Sequence, residues 1–270
     1  MRRLLRWLLL CGLVGLFFLG LGYWGTLTET PSLPDGVRRE VVHLTLVGRS
    51  VSVALYHPAR DDTAPLVVVA HGFTRSKRYM AGWGAHLAGE GFLVAVPTQP
   101  SLANHKLNGS VLAELVDRLR GKRRVGLVGF SMGGLTTLFA AAETPVDAWL
   151  GLDPVDMNGG GRKVAGRLLI PCAVLTAEPD AWNMNGNASG IVDALHRETY
   201  FCKIDGAKHL DAEWPTDLLG QWTCGHTTVA FQSEFRRLAT AFLRSSLLDE
   251  READQILRSA CRREGKAPDQ

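Results

Sequence analysis

Residues 129–134 read Gly-Phe-Ser-Met-Gly-Gly and carry a serine in a setting suited to attack on acyl carbon. A mostly apolar run at 124–128 precedes them, and a helical pattern at 135–143 follows. A buried strand, a tight serine-bearing turn and a helix together predict a nucleophile elbow, which lifts the serine oxygen clear of the sheet. The flanking glycines fit because side chains there would strike the neighbouring strand and helix. Ser131 is therefore the candidate nucleophile of an acyl-transfer reaction.

A general base for Ser131 is expected just beyond the end of the last parallel strand. Of the eight histidines, His209 directly follows the strand-like stretch 200–204 and precedes the final long helical pattern. This position matches the chain order serine, acid, histidine. His226, close to the start of the final helix, is the fallback, with a capping or surface role as its alternative.

Two aspartates compete for the acid that orients the histidine and stabilises its charged form. Asp153 ends the predicted strand 148–152, and Asp180 lies just past the predicted strand 168–175. Either strand end can carry this carboxylate, and the usual hydrolase position favours Asp180. The residues alone leave the choice open.

The oxyanion hole is predicted from two backbone N–H groups. His71, Gly72 and Phe73 follow the predicted strand 65–70, and the loop after that strand supplies one donor in this arrangement. The residue after the nucleophile supplies the other. These donors are the N–H groups of Phe73 and Met132.

Short Val- and Leu-rich strands alternate with helical patterns along the chain, after a predicted hairpin at 39–47 and 50–57. This alternation predicts an α/β fold with a mostly parallel central sheet flanked by helices. Chemistry in such sheets gathers at the carboxyl ends of the strands. The further predicted strands are 65–70, 92–96, 127–130, 148–152, 168–175 and 200–204; the predicted helices are 79–90, 111–119, 135–143 and 227–243. Few residues separate Asp153 from the next strand, so little or no cap domain is expected, only a small rim at 179–190.

The first 25 residues have the character of a targeting element. Arg2, Arg3 and Arg6 precede an uncharged apolar run at 7–24. This pattern predicts an uncleaved membrane anchor, with a cleaved signal as the alternative, and the positive charge places the following domain outside the cytoplasm. Residues 26–37 are predicted to be a linker and 38–270 a single catalytic domain.

The composition excludes several classes of protein. A chain of 270 residues with 46% hydrophobic content can bury one full core. The net charge of +3 comes without a basic stripe interleaved with aromatic residues, so no nucleic-acid partner is expected. No His/Cys cluster has metal spacing, and neither a metal nor an organic cofactor is expected. Cys202, Cys224 and Cys261 allow at most one disulfide among them, and its pairing is left open.

Five stretches resemble the chlorophyllase-like and dienelactone-hydrolase-like branch of the α/β-hydrolases; they are residues 67–73, 91–97, 129–134, 151–155 and 207–211. The resemblance covers roughly residues 65–245 and implies the α/β-hydrolase fold, a Ser-His-Asp triad and ester chemistry. In that branch the acid is the aspartate of an Asp-Pro-Val motif, which ranks Asp153 above Asp180. The chain departs from chlorophyllases at Phe130 and Met132, where those enzymes carry His and Arg.

The expected function is that of a serine hydrolase that cleaves carboxylic esters through an acyl-enzyme, in a chlorophyllase-like manner. Its expected substrate is a small-molecule or lipid-like ester. Two alternatives are an acyltransferase at the membrane and a catalytically inert α/β-hydrolase that only binds.

Overall fold

The computed structural model describes residues 12, 26–60, 62–195 and 199–264, and within them nine strands form one sheet. The strands are β1 (Arg38–Leu46), β2 (Arg49–His57), β3 (Leu66–Ala70), β4 (Leu93–Pro97), β5 (Val125–Phe130), β6 (Ala148–Leu152), β7 (Cys172–Thr176), β8 (Thr199–Lys203) and β9 (Arg262–Glu264). Their order across the sheet is β1-β2-β4-β3-β5-β6-β7-β8-β9.

The strands from β3 to β8 run parallel, and antiparallel pairs close both edges of the sheet. Ala70 at the end of β3 pairs with Gly129 of β5, and Gly151 of β6 pairs with Gly129 from the other side. The loops that leave these three strands therefore meet at the carboxyl ends of the strands, as expected for a parallel sheet. The predicted mostly parallel sheet is confirmed.

The described helices are α1 (Ala81–Gly89), α2 (His105–Leu119), α3 (Met132–Glu143), α4 (Gly160–Ala165), α5 (Ser189–Val192), α6 (Leu218–Cys224), α7 (Val229–Leu248) and α8 (Arg251–Ala260). Alternate strand residues point to opposite faces, so Val67 and Val69 join one core while Val68 and Ala70 join the other. Helices α1, α7 and α8 contribute to the first core, and α2 and α3 to the second. Helices thus cover both faces of the sheet.

Several element boundaries differ from the sequence prediction. Helix α2 begins at His105 and not at residue 111, because the Asn104 side chain accepts a hydrogen bond from the Leu107 N–H and caps an earlier turn. Helix α7 continues to Leu248, five residues beyond its predicted end. Strand β7 begins only at Cys172, directly after Pro171, which has no N–H to donate to a neighbouring strand. The elements α4, α5, α6, α8 and β9 were not predicted.

A disulfide joins Cys202 of β8 to Cys261, which immediately follows α8. This pairing answers the question that the sequence left open, and Cys224 takes no part in a disulfide. The bridge holds the end of α8 against the edge of the sheet.

Among the described residues, no helix is both long enough and apolar enough to span a bilayer. The predicted anchor at 7–24 lies outside the continuously described part of the chain, which begins at residue 26.

Candidate active site

Ser131 occupies the tight turn between β5 and α3. Its φ of 54° is unusual for a residue other than glycine and turns the chain sharply from strand into helix. A Cβ on Gly133 would lie 2.5 Å from the carbonyl oxygen of Ala70, so the helix approaches β3 as closely as it does only because residue 133 is glycine. The local sequence thus forms the predicted elbow at the carboxyl edge of the sheet.

The structure brings Ser131, His209 and Asp153 together in one hydrogen-bonded chain. His209 Nε2 lies 2.9 Å from Ser131 Oγ, and His209 Nδ1 lies 2.6 Å from Asp153 Oδ2. A carboxylate accepts hydrogen bonds, so in the neutral imidazole Nδ1 carries the proton and Nε2 accepts from the serine hydroxyl. All three side chains are buried. This is the geometry of a nucleophile, a general base and an orienting acid.

Further donors hold the Asp153 carboxylate. The Ala177 N–H donates to Oδ1 at 3.1 Å, and the Asn183 side-chain amide donates to Oδ2 at 3.1 Å. The Asn183 side chain is itself buried. Sequence reasoning did not identify Asn183, because it lies in an Asn- and Gly-rich stretch where several amides look equivalent.

The two other sequence candidates lie elsewhere. Asp180 Oδ1 accepts hydrogen bonds from the N–H groups of Trp182 and Asn183, at 2.7 and 3.0 Å, and so closes a turn of the rim loop. His226 is exposed, and its ring donates to the Gln221 side-chain oxygen at 3.2 Å. Neither residue contacts Ser131 or Asp153 in the described hydrogen-bond network.

The predicted oxyanion donors flank the serine. Met132 opens α3, and Phe73 follows Gly72, where a Cβ would lie 3.1 Å from the Ser131 Cβ. Among the backbone hydrogen bonds outside helices and strands in the described part of the chain, none is donated by the N–H of Phe73 or Met132. Two uncommitted N–H groups beside a nucleophile are suited to bind a developing oxyanion.

A polar network fixes the loop that carries Phe73. His71 Nδ1 donates to the Gly72 carbonyl at 2.8 Å, while its Nε2 accepts from the Gln99 N–H at 3.0 Å. Burial lowers the pKa of His71 to about 4, so the ring is neutral at ordinary pH. The Gln99 side chain donates to the His71 carbonyl at 2.6 Å and accepts from Thr136 of α3 at 3.0 Å. The network therefore ties the loop to the helix that Ser131 opens.

A buried ion cluster fixes the other end of the same loop. Arg75 Nε lies 3.0 Å from Glu213 Oε2, and the Arg75 guanidinium also pairs with Asp217, the N-cap of α6. The guanidinium stacks 4.4 Å from the centre of the Tyr79 ring. Burial raises the pKa of Glu213 to about 8, against the opposing effect of Arg75. The cluster joins the oxyanion loop to α6.

An open cleft of about 740 Å³ leads to Ser131 and His209. Its surface is mostly apolar and carries large exposed side chains: Phe73, Met157, Trp182, Met184 and Trp222. Trp182 and Met184 come from the predicted rim at 179–190, whereas Trp222 comes from α6, which sequence reasoning missed. The cleft has the size and polarity to take a bulky apolar molecule.

The start of the continuously described chain lies beside α6. Leu27 forms a β-bridge with Asp217, and the Thr28 N–H donates to the Thr216 carbonyl at 2.9 Å. The first residues of the predicted linker at 26–37 are therefore tied to the segment that borders the cleft.

The described residues contain no group of three or more His, Cys, Asp or Glu side chains placed to hold a metal ion.

Comparisons with known proteins find similar hydrolases. A family model described as "Alpha/beta hydrolase family" matches residues 67–268. Cutinase 1 of Thermobifida cellulosilytica is 26% identical over 212 residues, which cover 73% of this chain and 80% of the cutinase. A bis(hydroxyethyl) terephthalate hydrolase of Streptomyces coelicolor is 32% identical over 139 residues, covering 47% of this chain and 44% of that protein.

The fold is similar to that of a solved dienelactone hydrolase from Anabaena variabilis. The TM-score is 0.63 at 18% identity, with 79% of this chain and 100% of the other covered. At this identity the likeness concerns the fold alone.

Proposed function

The chain belongs to the alpha/beta hydrolase family, and from this premise we propose that it hydrolyses carboxylic esters through an acyl-enzyme. The observation that carries the proposal is the hydrogen-bonded chain from Ser131 through His209 to Asp153 at the base of an apolar cleft. The names of the similar proteins, cutinase and bis(hydroxyethyl) terephthalate hydrolase, denote ester-cleaving enzymes and support the same class of reaction.

In the proposed mechanism, Ser131 Oγ attacks the acyl carbon while its proton passes to His209 Nε2. Asp153 stabilises the resulting imidazolium, and the N–H groups of Phe73 and Met132 bind the oxyanion. The acyl carbon–oxygen bond then breaks, and the leaving alkoxide takes the proton from Nε2. A water molecule, deprotonated by His209, attacks the acyl-enzyme and releases the acid and free Ser131.

The proposed substrate is a bulky, apolar carboxylic ester. Phe73, Trp182 and Trp222 present aromatic surface along the cleft, which favours an ester with an aromatic or long aliphatic group. A panel of p-nitrophenyl esters of increasing acyl length, bis(hydroxyethyl) terephthalate and chlorophyll tests this. Turnover of the terephthalate diester without turnover of chlorophyll would limit the chlorophyllase-like resemblance to fold and triad.

A fluorophosphonate probe tests the nucleophile directly. The wild-type protein is expected to be labelled, and Ser131→Ala is expected to remain unlabelled and to lose ester hydrolysis by on the order of 10⁴-fold or more. Absence of labelling in the folded wild-type protein would favour the inert binding protein. Near-normal turnover of Ser131→Ala would show that another residue is the nucleophile.

We further propose that the catalytic part lies outside the cytoplasm, held by residues 7–24 as a membrane anchor. The basic residues before this apolar run support that orientation, and the Cys202–Cys261 disulfide supports an oxidising compartment. Fractionation of the full-length protein is expected to recover it with membranes. A soluble form whose N-terminus falls between residues 20 and 31 would establish the cleaved signal instead.

A further inference from the structure

We propose that Asn183 is a positioning residue for Asp153, so that the rim loop forms part of the support of the triad. The Asn183 Nδ2 group donates to Asp153 Oδ2, the same oxygen that accepts from His209 Nδ1. This inference rests on the proposed ester hydrolysis at Ser131.

The hydrogen bonds of Asn183 determine how its amide is oriented. Its second Nδ2 hydrogen goes to the Glu178 carbonyl at 2.8 Å, and its Oδ1 accepts from the Asp180 and Gly186 N–H groups, both at 2.9 Å. The amide therefore cannot flip without losing bonds at both ends. One donor is directed at Asp153 by the fold of the whole loop.

The Asn183 donor affects both the negative charge on the Asp153 carboxylate and the orientation of that carboxylate. The Ala177 N–H and the Asn183 amide both donate to the Asp153 carboxylate, and each bond offsets part of its negative charge. The same bonds fix the plane of the carboxylate, so that Oδ2 stays in line with His209 Nδ1. Without the Asn183 bond, more negative charge remains on Oδ2 and the imidazolium is stabilised more strongly.

The charged groups near this contact are otherwise engaged. His209 is the titratable side chain hydrogen-bonded to Asp153, and the Asp180 carboxylate faces loop N–H groups. The Glu178 carboxylate pairs with Lys203 at 2.7 Å, and the Asp211 carboxylate accepts from the Lys208 and Thr228 N–H groups. A change in the pH profile of an Asn183 variant therefore reports on the Asp153–His209 pair.

The test compares Asn183→Leu with Asn187→Leu. Asn187 is a matched control because it lies in the same loop and its amide bonds the backbone of Asp156 at both ends, at 3.0 and 2.8 Å, without contacting Asp153. For Asn183→Leu we expect kcat/KM to fall about 10- to 100-fold, because a carboxylate that is free to turn no longer holds the His209 ring in line with Ser131. The acid limb of its pH–rate profile should move to higher pH, whereas Asn187→Leu should keep the wild-type profile.

Two further measurements separate positioning from substrate contact and from misfolding. Trp182 and Met184 flank Asn183 and line the cleft, so a binding role would make the loss grow with acyl length, whereas a positioning role gives equal losses for p-nitrophenyl acetate and longer esters. Asn183→Asp keeps the Oδ1 acceptor but sets a second carboxyl against Asp153. It should add an ionisation to the pH–rate profile, because two such close carboxylates do not both ionise at neutral pH.

The outcomes distinguish this inference from the proposed function. If wild-type protein hydrolyses no ester, the proposed function fails. If wild-type protein is active and neither Asn183 variant changes the pH profile beyond Asn187→Leu, Asn183 has no positioning role. Circular dichroism monitors the fold of each variant. If Asn183→Leu does not fold, the pH–rate profile of Asn183→Asp decides whether Asn183 positions Asp153.

Discussion

The two sides of Ser131 are supported by different kinds of interaction. On the acid flank, formed by Asp153, Ala177 and Asn183, neutral N–H donors hold a charged carboxylate. On the oxyanion flank, formed by loop 71–75 and its partners, charged side chains hold a loop whose working groups are neutral N–H groups. In the proposed mechanism, the charge that takes part in the chemistry is therefore held by neutral donors, while the charge that supports the fold is paired with charge.

Electrostatics explains the division. A fixed cation beside Asp153 would offset the negative charge that stabilises the His209 imidazolium. Arg75 borders the same cleft, but its pairing with Asp217 compensates its charge. In the proposed mechanism, the acid flank supplies a negative charge and the oxyanion flank supplies uncharged donors, and the groups that support each flank do not offset what it supplies.

The largest effect is expected when the acid flank loses its charge. Asp153→Asn keeps the shape of the side chain but removes the charge and can fix the wrong histidine tautomer, so activity at neutral pH should fall on the order of 10⁴-fold. Asp180→Asn should retain most of its rate, since the Asp180 side chain closes a turn of the rim loop. Rates are compared by p-nitrophenyl ester hydrolysis for variants folded by circular dichroism. The reverse pattern would place the working acid on the rim loop.

The next prediction concerns the ion cluster of the oxyanion flank. The pKa of Glu213 is raised to about 8 in the folded protein, above its unfolded value of 4.5. Its contribution to stability is fully present below the unfolded pKa and is lost as pH rises through the folded pKa, at up to about 1.4 kcal/mol per pH unit. Glu213→Gln removes this slope, so the variant should gain stability relative to wild type between about pH 5 and about pH 9.

Urea unfolding at several pH values measures the Glu213 effect. Glu178→Gln is the control, because Glu178 forms an exposed pair with Lys203 and should show no such gain. The acid limb of the pH–rate profile should be the same in Glu213→Gln and wild type. A shifted limb would mean that the cluster also sets the charge at the triad, and the two flanks would no longer be separable.

A smaller effect is expected from the polar network behind the oxyanion loop. Gln99→Leu removes the bonds to the His71 carbonyl and to Thr136, which loosens the Phe73 N–H without deleting it. We expect kcat to fall about 10- to 100-fold, less than for outright loss of an oxyanion donor, with KM nearly unchanged. The fall should be the same at every pH, in contrast to Asn183→Leu.

Ser101→Ala is the control for Gln99, since the Ser101 hydroxyl accepts from the Asn104 N–H at the start of α2. It should keep the wild-type kcat. A pH-dependent loss in Gln99→Leu would contradict the division between the two flanks.

The parts of the site that depend on local order could be predicted from the sequence. Ser131, His209 and the loop after β3 each follow a strand, and the carboxyl ends of parallel strands share one edge. Asp153 and Asp180 both satisfy that rule, so residues alone did not separate them. The contacts in the fold do: Asp153 Oδ2 lies 2.6 Å from His209 Nδ1, whereas Asp180 Oδ1 accepts from N–H groups of its own loop.

The supports of the site could not be predicted, because they depend on contacts between distant segments. Asn183 bonds a residue 30 positions away, and Arg75 pairs with Asp217 across 142 positions. Helix α6 is seven residues long, too short to show a hydrophobic period. Its one local signal was Asp217, whose side chain accepts from the Gly220 N–H at 2.6 Å as an N-cap.

The smallest effect is expected at Trp222, and it tests whether α6 acts through the substrate cleft or through the oxyanion flank. Trp222 of α6 borders the cleft and is 78% exposed, so it can gain contact with a long ester but not with an acetate. Trp222→Ala should raise KM for a long-chain p-nitrophenyl ester about threefold, the size expected for part of one side chain's apolar area. Leu169→Ala is the control, because Leu169 is 69% exposed and precedes β7, at the amino ends of the strands, away from the cleft. If Trp222→Ala instead slowed acetate and long-chain esters equally, α6 would act through the Arg75 cluster on the Phe73 loop. It would then belong to the oxyanion flank and not to the substrate cleft.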